Sequence, residues 1–413
     1  MADTEFTETA QQPAKAAGTA DVVIGIAGSV AVEELYASAL KATAEAGAET
    51  SPVHYVFAWP ASNGEAGASS PQLNGNSHLT LVPFEAPASG GEFWEVVSAH
   101  QRAVLAMAAA RNARACIVLG SDLAALQPET IQLFTYAVLE RQADIVMPLY
   151  PVSRYDALIN TGILCPLHRA LYGRRVRFPV AFDFAVSGSI AAFLAGSSGR
   201  DPGLLWPVAA ASTELPQCAV GQVHVDVRHQ RTTGGLDLSA VLGQMAGSLF
   251  HRMESDAPQW QRVRGSQAGA VWGSAARDSG GGEPIDVQPM LDSFLLGSKN
   301  LEEVWKLVLP PNTMLELRRL TRMPAEQFRM PDELWAGIVY DFALAWRLRT
   351  LNRGHLLGAL TPLYLGWAAS YAREVASLTR AAWEQRMDAF ARAWEEKKPY
   401  LLSRWRWPDR FNP

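Results

Sequence analysis

Residues 115–123 constrain this chain more than any other stretch. A run of apolar residues, Cys116-Ile117-Val118-Leu119, stops abruptly at Gly120-Ser121-Asp122. Four apolar residues, two of them β-branched, have the length and composition of a strand buried on both faces, as in a parallel sheet. The Ala-rich segment before it, 99–112, is expected to be a helix. Gln127-Pro128-Glu129-Thr130 after it opens another, with Pro and Glu where a helix start favours them. Helix, buried strand, carboxylate and helix make half of a nucleotide-binding α/β unit, and open α/β sheets take their ligands outside the carboxyl ends of the strands. Taken alone, Asp122 suits a turn cap equally well.

The rest of the chain extends the pattern. Val22 to Ala27 reads as a buried strand ending in Gly28-Ser29, with a helix over 31–46 behind it. Further strands are expected at 53–58, 79–82 and 144–150, and 220–227 alternates in the period-two manner of a half-buried strand. This succession argues for a parallel sheet with right-handed crossovers. Gly28-Ser29 at a strand-to-helix junction suits a phosphate or nucleotide edge, or a plain tight turn; no GxGxxG or Walker A pattern accompanies it. Arg174-Arg175-Val176-Arg177 is either an anion-binding cluster or a solvated loop. His229, after the last strand, is open to a structural or a metal role. Residues 1–19 are polar and expected to be disordered, and 257–284, rich in Gly, Ser, Gln and Arg, reads as a linker. The domain reading is therefore an α/β domain over 20–256 and a helical domain over 285–413, whose tryptophans fall at helical spacing and suit packing. Asp341 and Tyr364 stand inside otherwise apolar helices, where burial demands partners.

Composition excludes several classes. With 413 residues and 48% hydrophobic content the chain can bury a large core, and a net charge of -5 with interspersed signs indicates neither a nucleic-acid stripe nor a polybasic membrane patch. No apolar run reaches the ~18 residues of a membrane span. There is no export signal, and the three cysteines are scattered in apolar surroundings, so a reducing cytoplasmic location is expected.

The order of segments resembles the retaining GT-A glycosyltransferases of the mannosylglycerate and glucosylglycerate synthase group. The resemblance rests on Leu119-Gly120-Ser121-Asp122 with the following Gln127 to Ile131, on 156–160, 165–173 and Pro179 to Asp183, on Arg228-His229 before 234–237, and on 339–343 with 359–366. It implies a Rossmann-like GT-A domain for nucleotide diphosphate sugars with a C-terminal α-helical domain. It also implies hexose transfer from a donor of the UDP-glucose or GDP-mannose class to a small hydroxy-acid or sugar acceptor such as glycerate. The metal-binding acid and histidine of that group fall on Asp122 and His229, which would hold Mn²⁺ or Mg²⁺ against the leaving diphosphate. Gly28, Ser29, Asp156, Asn160, Arg175 and Asp183 are the substrate-binding candidates.

Several positions depart from the group's pattern. Gly120 stands where its metal motif has a first Asp, Ala181-Phe182 replace paired glycines, and the Gly-Lys-Gly loop has no counterpart with a lysine. Leu205 occupies the place of the carboxylate at the reacting centre, which leaves Asp201, one turn earlier, as the catalytic candidate. The alternative expectation is accordingly a catalytically degenerate relative that keeps the fold as a binding or assembly module. The Trp-rich helical half also invites homo-oligomerisation.

Overall fold

The computed structural model describes residues 20–28, 32–46, 53–61, 79–85, 93–120, 128–197, 203–225, 238–275, 282 and 285–408. Its centre is an eight-stranded sheet. The apolar runs singled out above form β1 (Val22–Ile26), β2 (Tyr55–Ala61), β3 (Leu79–Glu85), β4 (Ala115–Leu119) and β5 (Ile145–Leu149). Every residue of β1 and β4 is buried, which is why each reads as an unbroken hydrophobic run. Between these strands lie α1 (Val32–Ala46), α2 (Phe93–Ala110) and α3 (Pro128–Leu139), the right-handed alternation expected of a parallel sheet.

After β5 the chain takes a less regular course. A π-helical turn (Asn160–Leu164) runs directly into α4 (Cys165–Tyr172), which Gly173 closes in the left-handed conformation. A two-residue strand follows, β6 (Arg174–Arg175), and then β7 (Phe184–Ser187). β7 enters from the carboxyl edge and inserts antiparallel between β4 and β5, a reversal of the all-parallel expectation. Helices α5 (Gly188–Ser197) and α6 (Pro207–Glu214) lead to β8 (Val220–His224), and α7 (Leu238–Ser255) and α8 (Ala257–Trp260) follow it.

The stretch expected as a linker, 257–284, is built into the sheets over its described part. β9 (Gln267–Ala268) pairs with β6, and β10 (Val271–Trp272) adds a strand beside β8. Its glycines serve close approach: a Cβ on Gly269 would overlap the Val220 carbonyl oxygen, and Gly273 holds φ +81°. The finished order is β10-β8-β5-β7-β4-β1-β2-β3.

The helical half comprises α9 (Gln288–Asn300), α10 (Glu302–Val308), α11 (Pro311–Leu320), α12 (Asp332–Leu348), α13 (Arg353–Val375) and α14 (Arg380–Arg406). It is fused to the sheet rather than tethered to it. The Trp335 indole donates to Gly162 O (2.8 Å), and the Trp367 ring lies where a Cβ on Gly162 would sit. The Tyr371 hydroxyl donates to Arg154 O (2.9 Å), and Arg154 returns a bond to Val375 O (2.6 Å). α7, assigned from sequence to the sheet side, packs on α12 and α13, and Glu254 pairs with Arg353 across that contact (3.1 Å). The tryptophans pack as their spacing suggested: Trp305, Trp335, Trp394 and Trp405 are fully buried. No helix among the described residues is long and apolar enough to cross a membrane.

Candidate functional site

In this strand order the chain runs outward in one direction through β1, β2 and β3 and in the other through β4. The two halves of the fold therefore meet between β1 and β4. Crevices in open α/β sheets form at such a switch point, outside the carboxyl ends. Here those ends are Ala27-Gly28 and Gly120, and they abut: Ala27 N donates to Leu119 O (2.8 Å), and a Cβ on Gly120 would overlap the Ala27 carbonyl oxygen. Gly120 is thus the residue the junction requires, since any side chain there would meet the Ala27 carbonyl.

Gly28 sits at φ +117°, a conformation costly for any side-chain-bearing residue, and its N–H donates to His100 Nδ1 (3.0 Å). Burial pushes the His100 imidazole below its ordinary pKa and keeps it neutral, as an acceptor at Nδ1 must be.

Asp183 stands at the amino end of the reversed strand, and the reversal places it on this same edge. It is buried, with Oδ1 accepting from Gly120 N (3.0 Å) and Oδ2 from the Tyr150 hydroxyl (2.7 Å). It therefore fastens together the ends of β4, β5 and β7. The preceding residues are equally fixed: Gln101 donates to Ala181 O (3.0 Å), and the Phe182 ring stacks on Trp94 at 4.5 Å. Leu205 is buried and its N–H donates to Ser98 Oγ (3.1 Å).

A cavity of about 410 Å³ opens on the same edge of the sheet, between the carboxyl ends of β5 and β8 and one face of α14. Its walls carry Arg169, Arg175, Arg177 and Arg380 together with Glu384, Asp388 and His224. Arg177 and Arg380 each lie over the Trp383 ring (5.2 and 5.0 Å), and one buried guanidinium nitrogen of Arg177, Nη2, has no hydrogen-bond partner. Arg169 is fully committed, to Asp388 (2.6 Å) and Glu395 (2.8 Å). Burial pushes the His224 imidazole below its ordinary pKa; Glu384 opposes the shift and Arg380 adds to it. Arg380 donates through Nε to Glu384 (2.7 Å), so the wall can bind an anion through Arg177 and the nitrogens Arg380 has left.

The substrate-binding candidates fall unevenly around this edge. Gly28 and Asp183 lie at the β1–β4 junction and Arg175 on the cavity wall. Asn160 reaches that wall, donating through Nδ2 to Arg177 O (2.9 Å), and its buried Oδ1 has no partner. Asp156 closes a local turn by accepting from Ser153 N (3.2 Å). Ser29, Asp122, Asp201 and His229 lie outside the described residues.

No group of three His, Cys, Asp or Glu residues suited to a metal occurs among the described residues.

Sequence reading missed His100, Tyr150, His224 and all of the wall on α14. The signal was present in the spacing of Arg380, Trp383, Glu384, Met387, Asp388 and Ala391, which share one helical face.

No family model and no curated protein matches the chain. One solved structure to which it is similar, "Crystal Structure of a Mycobacterial Protein", aligns with 58% of this chain and 75% of its own length, at 12% identity and a TM-score of 0.37.

Proposed function

We propose that this protein is a GT-A-type hexosyltransferase, taking a nucleotide diphosphate sugar of the UDP-glucose or GDP-mannose class and a small acceptor such as glycerate. The observation that carries the reading is the junction of Gly28 and Gly120, where two strand ends meet at the switch point with no side chain between them. The Gly28 and Gly120 amides are held by His100 and Asp183, so the phosphates would lie beyond them, beside the start of α1. Asp122 and His229, on the two segments leaving the same edge, are the proposed ligands of Mn²⁺ or Mg²⁺, which would neutralise the leaving diphosphate. The cavity under α14 is the proposed acceptor pocket, with Arg177 and Arg380 facing the acceptor's carboxylate. Asp201 is the proposed carboxylate at the reacting centre.

Phe182 favours a second reading. Its stack on Trp94 occupies space next to Asp183, as in a scaffold that binds without turning over. Calorimetric titration of UDP-glucose and GDP-mannose, with Mn²⁺ and then with chelator, separates the two from a wrong assignment. Metal-dependent binding lost in Asp122→Ala and His229→Ala supports the donor site, and product formation with an acceptor then decides between transferase and scaffold. A folded protein that binds neither donor sinks both.

A further inference from the structure

A second cavity, of about 270 Å³, lies at the opposite end of the same strands. Its lining includes Ala143, just ahead of β5, and Ala219 and Val220 at the start of β8, so it faces away from the carboxyl edge. Three side chains in its wall are ionised, Arg141, Arg174 and Arg175, and none of the thirteen lining residues is acidic. In a chain whose net charge is -5, that is a local excess of cation among the lining residues. Asp144, next in sequence to the lining, has its carboxylate engaged by the N–H of the lining residue Ala219 (2.8 Å) and by the Ser187 hydroxyl (3.3 Å).

The arginines are positioned without being consumed. Arg174 donates through one nitrogen to Pro216 O (2.7 Å), and Arg175 through Nε to Ser266 Oγ (2.9 Å). Both partners are neutral, and a guanidinium has five N–H donors, so most of each fork remains available. None of the three arginines forms an ion pair among the described residues, whereas Arg169, Arg252, Arg386 and Arg404 all do. The pocket also has a flat wall: the Trp272 ring lies against the backbone of β8, where a Cβ on Gly221 would overlap it.

We propose that this cavity binds a small phosphomonoester, with the phosphate held by Arg141, Arg174 and Arg175 and the organic part against Trp272. The site is built for regulation rather than chemistry, because Arg175 and Gln222 line both cavities. Gln222 accepts from Arg177 N (2.8 Å) and donates to Arg175 O (3.3 Å), so one side chain ties the rear pocket to the front wall. The charge of Arg175 is also felt by Asp388 on that wall. A ligand that draws the Arg175 guanidinium rearward alters the charge facing the acceptor pocket.

The test is titration of the full chain with glucose 6-phosphate at low ionic strength, with glucose as the neutral control. Saturable binding of the phosphomonoester alone is expected, weakened roughly tenfold or more by Arg141→Gln and by Arg174→Gln, since each removes a charge-assisted donor. It weakens again in ~0.15 M salt, where screening acts over ~8 Å. Arg380→Gln, in the front cavity, leaves it unchanged. Absence of saturable binding overturns the proposal, as does binding indifferent to Arg141→Gln and Arg174→Gln, or binding lost in Arg380→Gln. Arg141 is exposed and its contact with the Tyr136 ring (5.8 Å) is a surface one, so that variant stays folded. Failure of the nucleotide-sugar titrations leaves this result standing.

Discussion

The clasp at Asp183 makes a quantitative prediction. Replacing Asp183 by Ala removes the acceptor of a buried bond from the Tyr150 hydroxyl and of a part-buried bond from the Gly120 N–H. Losing the bond of a buried donor costs ~1–3 kcal/mol, so the Tyr150 bond with a smaller share from Gly120 predicts a loss of about 2–4 kcal/mol. Tyr150→Phe removes one donor and leaves Asp183 bonded to Gly120, which predicts about 1–2 kcal/mol. Because both residues belong to one network, the double variant should cost less than the sum of the singles by about 1 kcal/mol or more. Urea unfolding followed by tryptophan fluorescence and far-UV circular dichroism measures all four proteins, with hydrogen exchange at the Gly120 amide as a local readout. Additivity within ~0.3–0.5 kcal/mol, or Gly120 protection unchanged in Asp183→Ala, refutes the clasp.

Gly120→Ala should cost about 1–3 kcal/mol, the usual penalty of forced overpacking, and should abolish donor binding, because its Cβ meets the fixed Ala27 carbonyl; wild-type stability and affinity together would show that the junction can part. Asp341, buried between α12 and α14, accepts from the Tyr400 hydroxyl (2.8 Å) and from Arg404 (3.2 Å). Burial pushes its carboxyl up to about 7 despite those partners and Lys397. A carboxyl with a raised folded-state value binds its proton more tightly folded than unfolded, so its contribution to stability declines as pH rises from about 4 to 7. Asp341→Asn should remove that slope from unfolding midpoints measured across the range, and an unchanged slope would assign it elsewhere.

How much of this was legible in the sequence depends on what each residue answers to. β1, β4 and β5 are buried on both faces, and burial writes itself as composition. β7 is four residues long, and its direction is set by where the preceding helical segment releases the chain, which no local pattern records. That reversal brings Asp183 to the ligand edge. The Gly-rich stretch after α8 misled because glycine has two uses: it loosens a loop, and it lets two backbones touch. Gly269 has the second use, visible only once Val220 is beside it, and Gly273 is needed for its left-handed backbone. Arg174-Arg175-Val176-Arg177 read as one cluster, yet Arg174 serves the rear cavity, Arg177 the front, and Arg175 both.

The bond between α4 and α14 bears on how the chain is made. Arg169 is almost wholly buried, and its counter-charges, Asp388 and Glu395, lie 219 and 226 residues further along. Domains generally begin to fold from the amino end as they leave the ribosome, at ~5–20 residues per second. During the tens of seconds that separate these residues in synthesis, the face of α4 that α14 covers, Arg169 included, stays open to water. The sheet side therefore emerges with that face uncovered, and a message cut short before residue 380 would yield a product open to proteolysis there.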